Sequence, residues 1–432
     1  MKKKLIDLPT HQTERGVIVS LSTSTTERAA MQDSLLELTL LAKTAHVAIV
    51  ASFTQSLSSP HHGTYIGKGK VEEIKMFCVD NNITTVIFDD DLSPAQTRNL
   101  EKEIERKIID RSGLILDIFA SRAKSKEAMT QVRLAQLQYM LPRLTRMWTH
   151  LSKQYGGVGT KGPCETQIES DRRMIRTKIT QLKIELANIS TERQVQRQKR
   201  NDYFRVALVG YTNAGKSTLM QTLSGADVFI EDLLFATLDT TVRQIEITSN
   251  LKILLSDTVG FIRKLPHNLV ASFRSTLAEV TEADLLLHVV DASHQNYAEH
   301  IAVVEKTLEE LQTKLITSLL VFNKIDKLAE REILSEIKMK YPDAIFISAA
   351  RGINIEALNA AIASHLQTDW REETLIISQE NNRLLAQLHE CAEIISTEYE
   401  GNDIIVKIRI QKKAAEQVEK LLKRKKTAEH NF

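Results

Sequence analysis

The sequence predicts an α/β protein built in four parts, and three observations support that prediction. The chain has 432 residues, 42% hydrophobic and 26% charged, which is the length of several domains and the composition of a globular protein. Short β-branched runs alternate with amphipathic stretches in two separate regions, which indicates parallel sheets flanked by helices. A long segment without strand-like runs lies between those regions. The predicted domains are therefore residues 1–121, 122–200, 201–370 and 371–432.

Residues 1–121 are predicted to form a small parallel α/β domain. Its predicted strands cover 17–22, 46–52, 85–91 and 114–120, and its predicted helices cover 27–43, 69–81 and 94–108. The segment HHGTYIGKGKVEEI at 61–74 places three glycines in a loop that opens a helix. A helix-start turn is the preferred interpretation of this segment, and a phosphate contact by Lys68 or Lys70 is the alternative.

Residues 122–200 predict a long antiparallel helical hairpin. Apolar residues recur at helical spacing over 125–144 and again over about 165–200. Two such helices can bury their apolar stripes against each other, which is why a hairpin is expected. The sequence KQYGGVGTKGPCE at 153–165 forms its glycine-rich tip.

The hairpin also has an unusual charge. The whole chain has a formal net charge of +2, which argues against a uniformly basic nucleic-acid binder. Residues 142–200 nevertheless contain 13 basic and 5 acidic side chains, whereas residues 201–370 contain 15 basic and 22 acidic ones. Contacts with nucleic-acid phosphates would therefore concentrate on the hairpin.

A phosphate-binding motif opens the region 201–370. Residues 210–217 match the pattern G-x-x-x-x-G-K-[ST] between a predicted strand at 205–210 and a predicted helix. They are Gly210, Tyr211, Thr212, Asn213, Ala214, Gly215, Lys216 and Ser217, and Thr218 follows them. The glycines let backbone N–H groups surround phosphate oxygens, and the helix start adds its dipole. Lys216 is expected on the β- and γ-phosphates and Ser217 on Mg²⁺. A coincidental glycine turn is the alternative.

The ends of later strands carry further nucleotide signals. Strands are predicted over 251–257, 284–291, 318–324 and 344–349. Asp257 ends the first of these and is expected to reach Mg²⁺ through water, while the N–H of Gly260 can sense the γ-phosphate. Both residues lie in the sequence DTVG.

Two more strand ends are predicted to recognise guanine. Asn323, Lys324 and Asp326 belong to NKID, where the Asp326 carboxylate can accept from guanine N1–H and N2–H₂, donors that adenine lacks. Ser348 and Ala349 are expected to donate a backbone N–H to guanine O6. Each segment alone fits an ordinary strand-to-loop turn, but all four in this order indicate a P-loop GTPase domain.

A threonine between the phosphate loop and Asp257 should close over the γ-phosphate and Mg²⁺. Thr237 is our choice, with Thr240 and Thr241 as rivals, and hydroxyls on an edge strand are the competing interpretation. Phe261 stands where many GTPases have a water-orienting glutamine, so we expect slow hydrolysis without an activating partner.

Asn213 admits two interpretations, a ligand for a monovalent cation such as K⁺ or a residue that stabilises its own loop. The histidines predict no metal site, because they lack partners at ligand spacing.

Residues 371–432 predict a small α/β domain with a strand at 403–411 and a basic helix at 412–426. The three cysteines, Cys78, Cys164 and Cys391, are widely spaced, form no disulfide framework and fit a reducing cytosol. Apolar runs are too short to cross a membrane. We therefore expect a soluble, cytoplasmic protein and a monomer.

Several longer motifs are more specific: YIGKGKVEEI, GLILDIFASRA, QLQYMLPRL, GGVGTKGPCETQIESDRR, GYTNAGKSTL, FATLDTT and DTVGFI. Through them the chain resembles the HflX family of ribosome-associated GTPases over nearly its whole length. The sequence departs from the family at Cys164, where the family usually has glycine, and at Thr240, where it has proline.

The resemblance implies a GTP-hydrolysing factor that binds the large (50S) ribosomal subunit and dissociates or rescues stalled ribosomes. It also implies that the hairpin tip approaches ribosomal RNA. Lys153, Lys161, Arg172 and Arg173 are the expected RNA contacts. A ribosome-assembly GTPase and a regulatory switch that binds a protein partner are the alternatives.

Overall fold

The structure is a computed structural model that describes residues 14–23, 27–144, 163–198, 203–225, 234–248, 251–264, 278–311, 313, 316–328, 331–367, 370–378, 393–400 and 403–411. The chain forms two compact units. The first comprises Met1–Thr191, Ile230–Thr240 and Val259–Ala278, and the second comprises Glu192–Phe229, Thr241–Thr258 and Glu279–Phe432. Two short segments of the predicted domain 201–370 therefore belong to the first unit. The boundaries of the four predicted domains stay predictions.

The first unit contains a four-stranded parallel sheet with strand order β2-β1-β3-β4. Its strands are β1 (Glu14–Ser22), β2 (Val47–Ser56), β3 (Thr85–Phe88) and β4 (Lys107–Asp110). The accompanying helices are α1 (Glu27–Thr44), α2 (Lys68–Asp80), α3 (Pro94–Ile104) and α4 (Arg111–Arg122). The direction of strand succession reverses between β1 and β3, which makes their carboxyl ends the edge where open α/β sheets bind ligands.

One predicted strand of this sheet is wrong. Residues 114–120 lie inside α4, and the fourth strand is β4, which falls where the end of a helix was predicted. α4 is buried on nearly every side, so its apolar residues run together and lose the helical period that identifies a surface helix. β4 is only four residues long and has no alternation that could reveal it.

Two long helices follow, α5 (Lys126–Met140) and α6 (Pro163–Gln198). Ser125 caps α5 by accepting a hydrogen bond from the backbone N–H of Ala128. Lys126 at the start of α5 pairs with Glu185 late in α6 at 3.2 Å, as expected for an antiparallel hairpin. The 36 residues of α6 span about 54 Å. Of the predicted tip at 153–165, residues 153–162 lie outside the described residues, and 163–165 begin α6.

The second unit contains a six-stranded sheet with order β10-β9-β8-β5-β7-β6. Its strands are β5 (Phe204–Gly210), β6 (Thr241–Thr248), β7 (Leu251–Asp257), β8 (Leu285–Asp291), β9 (Thr317–Asn323) and β10 (Ile345–Phe346). Its helices are α7 (Lys216–Ser224), α8 (Ala278–Thr281), α9 (Tyr297–Glu310), α10 (Arg331–Lys340) and α11 (Ile355–Gln367). All predicted strands are confirmed, although β10 is shorter than expected. β6 is an additional, antiparallel edge strand.

A third sheet lies near the end of the chain. It is antiparallel, with order β11-β13-β12, and consists of β11 (Trp370–Ser378), β12 (Glu393–Glu400) and β13 (Asp403–Gln411). β13 matches the predicted strand at 403–411, whereas the helix predicted at 412–426 lies outside the described residues. No helix in the described part of the chain is long and apolar enough to cross a bilayer.

Candidate functional site

The predicted phosphate loop connects β5 to α7, and two glycines shape it. Gly210 has φ +153°, and a Cβ there would lie 2.2 Å from the carbonyl oxygen of Val289 on the neighbouring strand. Gly215 has φ +91°, and its Cβ would lie 2.3 Å from Nδ2 of Asn323. Neither glycine has a side chain, so the loop can approach β8 and β9 more closely than any residue with a Cβ would allow.

Lys216 begins α7 and turns its side chain back over this loop. Its Nζ donates to the carbonyl oxygens of Gly210 at 3.1 Å and Tyr211 at 2.9 Å. Burial lowers the pKa of Lys216 to about 8, against the opposing effect of the Asp257 carboxylate. A phosphate group would favour the charged ammonium, so binding of a nucleotide should raise this pKa.

Asn323 ties the phosphate loop to the loop that follows β10. Its Nδ2 donates to the carbonyl oxygen of Ala214 at 3.0 Å, and its Oδ1 accepts from the N–H of Ala349 at 2.9 Å. The Asn323 side chain is buried, as are both alanines. Thr222 on α7 adds a second link, because its hydroxyl donates to the carbonyl oxygen of Ala349 at 2.8 Å.

Lys324 makes the corresponding link on the other side of the loop. Its Nζ donates to the carbonyl oxygen of Asn213 at 2.7 Å and pairs with the Asp291 carboxylate at 2.7 Å. Lys324 and Asn213 both adopt left-handed backbone conformations, with φ of 63° and 59°. The long side chain of Lys324 therefore supports the phosphate loop from outside.

Asp326 lies in a short 3₁₀ helix, Ile325–Lys327. One of its carboxylate oxygens accepts from the Ser348 hydroxyl at 2.6 Å, and the other lies 3.2 Å from Nε of Arg351. The Ser348 hydrogen bond lowers the pKa of Asp326 below its usual value. An ionised carboxylate fixed at this point suits a ligand edge that presents two N–H donors.

Ser217 and Asp257 bring two hard oxygen ligands together. The Ser217 hydroxyl donates to Oδ2 of Asp257 at 2.7 Å. Oxygen donors of this kind suit Mg²⁺, which takes one or two protein ligands and completes its shell with phosphates and water. Within the described ranges, no group of three or more His, Cys, Asp and Glu side chains is arranged to hold a metal without such help.

Three family models match the chain in succession. They are described as GTP-binding GTPase N-terminal over residues 32–120, GTP-binding GTPase Middle Region over 122–200, and 50S ribosome-binding GTPase over 205–324. A GTPase HflX from Flavobacterium psychrophilum is 51% identical over 74% of this chain and 78% of its own. GTPase HflX from Magnetococcus marinus is 44% identical over 92% of each chain, and that from Escherichia coli is 42% identical over 89% of this chain and 91% of its own.

The chain belongs to the HflX family of GTPases. It is accordingly a P-loop enzyme that binds and hydrolyses GTP. Among solved structures, a GTP-binding protein from Sulfolobus solfataricus in complex with GDP is 27% identical over 82% of this chain and 98% of its own, with a TM-score of 0.43.

The two other residues that this HflX-family chain was predicted to use in hydrolysis lie in the first unit. Thr237 is half-buried in the turn that precedes β6, and Gly260 is buried just after β7. Phe261 is 2% exposed, so its ring packs within the protein and has no group that could orient water. Thr240 is half-buried just before β6, and Thr241 is the first residue of β6. Because Thr237, Thr240 and Thr241 are all half-buried and close together in sequence, the choice among them stays a prediction.

The predicted RNA contacts of the HflX hairpin divide into two pairs. Arg172 and Arg173 lie on α6, where Arg172 is half-buried and Arg173 is exposed. Lys153 and Lys161 lie outside the described residues. The contacts of all four with RNA stay predictions.

Three residues that contact the predicted site residues of this HflX-family chain were not predicted. Asp291 supports Lys324, and its position as the polar end of β8 was a usable signal. Arg351 supports Asp326 without any sequence signal. His300 stacks on Tyr211 of the phosphate loop, with ring centroids 3.8 Å apart and planes 5° from parallel. Sequence spacing had assigned this histidine no partner.

Proposed function

We propose that this HflX-family GTPase binds the large ribosomal subunit under the control of its nucleotide state and dissociates or rescues stalled ribosomes. The single observation that carries the proposal is the charge asymmetry between the hairpin region, with 13 basic and 5 acidic side chains over 142–200, and the acidic domain at 201–370. RNA phosphates would meet the hairpin and would be repelled by the GTPase domain. The proposed site of action is the cytoplasm, and the proposed active form is a monomer.

The same proposal assigns the nucleotide site. The phosphate loop and Lys216 hold the phosphates, and Asp326 with the N–H of Ala349 reads guanine. Ser217, Asp257 and Thr237 are the proposed residues that hold Mg²⁺, which would neutralise charge on the phosphates. Lys216 keeps the transferring phosphoryl group in place, and the Gly260 N–H contacts it. Hydrolysis is slow in the free protein because Phe261 cannot orient water.

A monovalent cation is a further part of the proposal. Asn213 is exposed and has a left-handed backbone in the phosphate loop, and its amide oxygen is the proposed ligand of K⁺. GTP turnover should be faster in K⁺ than in Na⁺ at equal ionic strength. Equal turnover in both salts would support the alternative, an asparagine that stabilises its own loop.

Sedimentation with 50S subunits tests the ribosome proposal. The protein should co-sediment more strongly with a non-hydrolysable GTP analogue than with GDP, because the nucleotide state controls docking. Equal sedimentation in both states, or none, contradicts the proposal.

A variant set identifies the surface that binds. Replacement of Arg172 and Arg173 by glutamine should weaken sedimentation and make its salt dependence shallower, because fewer counterions are released. The matched control, Lys338→Gln with Lys340→Gln on α10, removes the same charge and should bind as wild type. Equal weakening by both pairs would indicate a general charge effect, and loss of GTP binding would indicate misfolding.

Splitting assays separate the alternatives. Conversion of 70S ribosomes to subunits in the presence of GTP is expected of a rescue factor. Binding confined to immature 50S particles would favour a ribosome-assembly GTPase, and a nucleotide-dependent complex with a protein in place of RNA would favour a regulatory switch.

A further inference from the structure

Two segments of the GTPase region belong to the first unit together with the N-terminal sheet, α5 and most of α6. One runs from Leu234 to Thr240 and enters β6 directly, and the other runs from Val259 to Lys264 and begins one intervening residue after the end of β7. They contain Thr237 and Gly260, the residues proposed to contact the γ-phosphate. We name them the pre-β6 segment and the post-β7 segment.

The pre-β6 segment holds the start of α5 through Asp239. One carboxylate oxygen of Asp239 accepts from the backbone N–H of Lys124 at 3.0 Å and of Ser125 at 3.1 Å, and the other accepts from the Ser125 hydroxyl. Ser125 is itself the N-cap of α5. Asp239 therefore places a negative charge at the positive end of that helix and accepts hydrogen bonds from two backbone N–H groups there.

An aromatic pair reinforces the same attachment. The rings of Phe235 and Phe119 meet edge to face, with centroids 4.7 Å apart and planes at 83°. Both side chains are buried, and Phe235 has a left-handed backbone with φ 55°. The pre-β6 segment is thus fixed to α4 by packing and to α5 by hydrogen bonds.

The post-β7 segment is attached to the N-terminal sheet through Lys264. Its Nζ lies 2.9 Å from Asp89 and also pairs with Asp90, just beyond the carboxyl end of β3. Asp89 is 1% exposed and also accepts from Arg111 at 2.8 Å and from Ser34 at 2.7 Å. Lys264 thus occupies the edge between β1 and β3, where an open α/β sheet would bind a ligand.

The far end of α5 is attached to the same sheet. The Tyr139 hydroxyl donates to Asp110 at 2.6 Å, and the Arg143 guanidinium donates to the same carboxylate at 2.7 Å. α5 is therefore held at its start by Asp239 and at its end by Asp110. A movement of the pre-β6 segment would act on α5, the first helix of the predicted hairpin.

We propose that Asp239 and Lys264 are positioning residues that couple the nucleotide state to the hairpin through the first unit. Asp239 is two residues from Thr237, and Lys264 is four residues from Gly260. If either segment closes on a γ-phosphate, the contacts that Asp239 or Lys264 makes with the first unit must move with it or become strained. The coupling requires the GTP cycle but no ribosome, so the sedimentation test and the tests below can fail independently.

Amide hydrogen exchange of the full-length free protein tests the Asp239 contact. In the wild type, the amides of Lys124 and Ser125 should exchange at rates that differ by about threefold or more between GDP and a non-hydrolysable GTP analogue. Asp239→Ala should abolish that difference and leave GDP affinity within about threefold of wild type. Glu246→Ala, which removes an exposed acid from β6, is the matched control and should keep the difference.

The decisive outcomes are distinct. Identical exchange of these amides in both nucleotide states of the wild type overturns the proposal, even if Asp239→Ala fails to fold. A nucleotide-dependent difference that survives in a folded Asp239→Ala also overturns it.

Turnover kinetics test the Lys264 contact. Lys264→Gln should lower kcat for GTP about threefold to tenfold with KM nearly unchanged, because Gly260 loses its fixed anchor while the binding site stays intact. Lys264→Arg keeps the positive charge and should restore kcat, whereas Lys252→Gln on β7 is the matched control and should have no effect. Unchanged kcat in Lys264→Gln, or failure of arginine to restore it, contradicts the assignment of Lys264.

Discussion

Removal of the Asn323 side chain should weaken nucleotide binding more than a single lost contact would suggest. The side chain makes two buried hydrogen bonds that join loops far apart in sequence, one to the carbonyl oxygen of Ala214 and one from the N–H of Ala349. In Asn323→Ala both backbone groups stay buried but lose their partner. Each buried unsatisfied group costs about 1–3 kcal/mol, so the native arrangement of the two loops loses about 2–6 kcal/mol.

Part of that loss should appear as lower nucleotide affinity, because the phosphate loop and the loop that follows β10 must be ordered again when the nucleotide binds. GDP affinity, measured by calorimetric titration, should fall about 10- to 100-fold, or about 1.4–2.8 kcal/mol. Asn323→Asp should be no better, because a carboxylate can accept from Ala349 but cannot donate to Ala214.

Asn81→Ala is the matched control for loss of one amide hydrogen bond. Its Nδ2 donates to the carbonyl oxygen of Phe77 at the end of α2, in the first unit. GDP affinity should be unchanged in this variant. A folded Asn323→Ala that binds GDP within about threefold of wild type would refute the view that these two hydrogen bonds order the site.

Three other properties of the site can be measured directly. The pKa of Lys216 is about 8 in the free protein, and a bound phosphate raises it. GDP affinity should therefore be constant below pH 8 and fall up to about tenfold per pH unit above it, and calorimetry at pH 9 should detect proton uptake on binding. A GDP affinity that does not depend on pH contradicts this. Gly210→Ala should abolish nucleotide binding, since its Cβ would lie 2.2 Å from the Val289 carbonyl, and wild-type affinity would rule out that close approach. Asp326→Asn should shift preference from guanine to xanthine nucleotides in competition binding, and unchanged specificity would remove the assignment.

The sequence was sufficient to predict the nucleotide-binding sheet because its strands are apolar, regularly spaced and each followed by a polar loop. It was insufficient at α4 and β4. A helix buried on nearly all sides has no polar face, and a four-residue strand has no period. The sequence indicates β6 only as an alternative to a closing loop. As an edge strand it pairs with β7 alone, and its polar and apolar residues show only a weak alternation.

The residues proposed to face the ligand can be picked out from the sequence, but most of the contacts that hold them in place cannot. Lys216 and Asp326 belong to short local motifs in which spacing alone implies chemistry. The hydrogen bond from Asn323 to Ala214 spans 109 residues, and the pair between Asp326 and Arg351 links two different loops. Such partners depend on which strands become neighbours, and that order is a property of the folded sheet.

The length of α6 has a mechanical consequence. A rigid helix of about 54 Å amplifies a rotation at its base, so that a tilt of only about 6° displaces the far end by about 6 Å, roughly one helical turn. A rotation of that size requires shifts of only a few tenths of an ångström among groups near the pivot. A small displacement at one end of α6 would therefore become about 6 Å at the other, so the stiffness of the contacts at the base of the helix determines how precisely its far end is positioned.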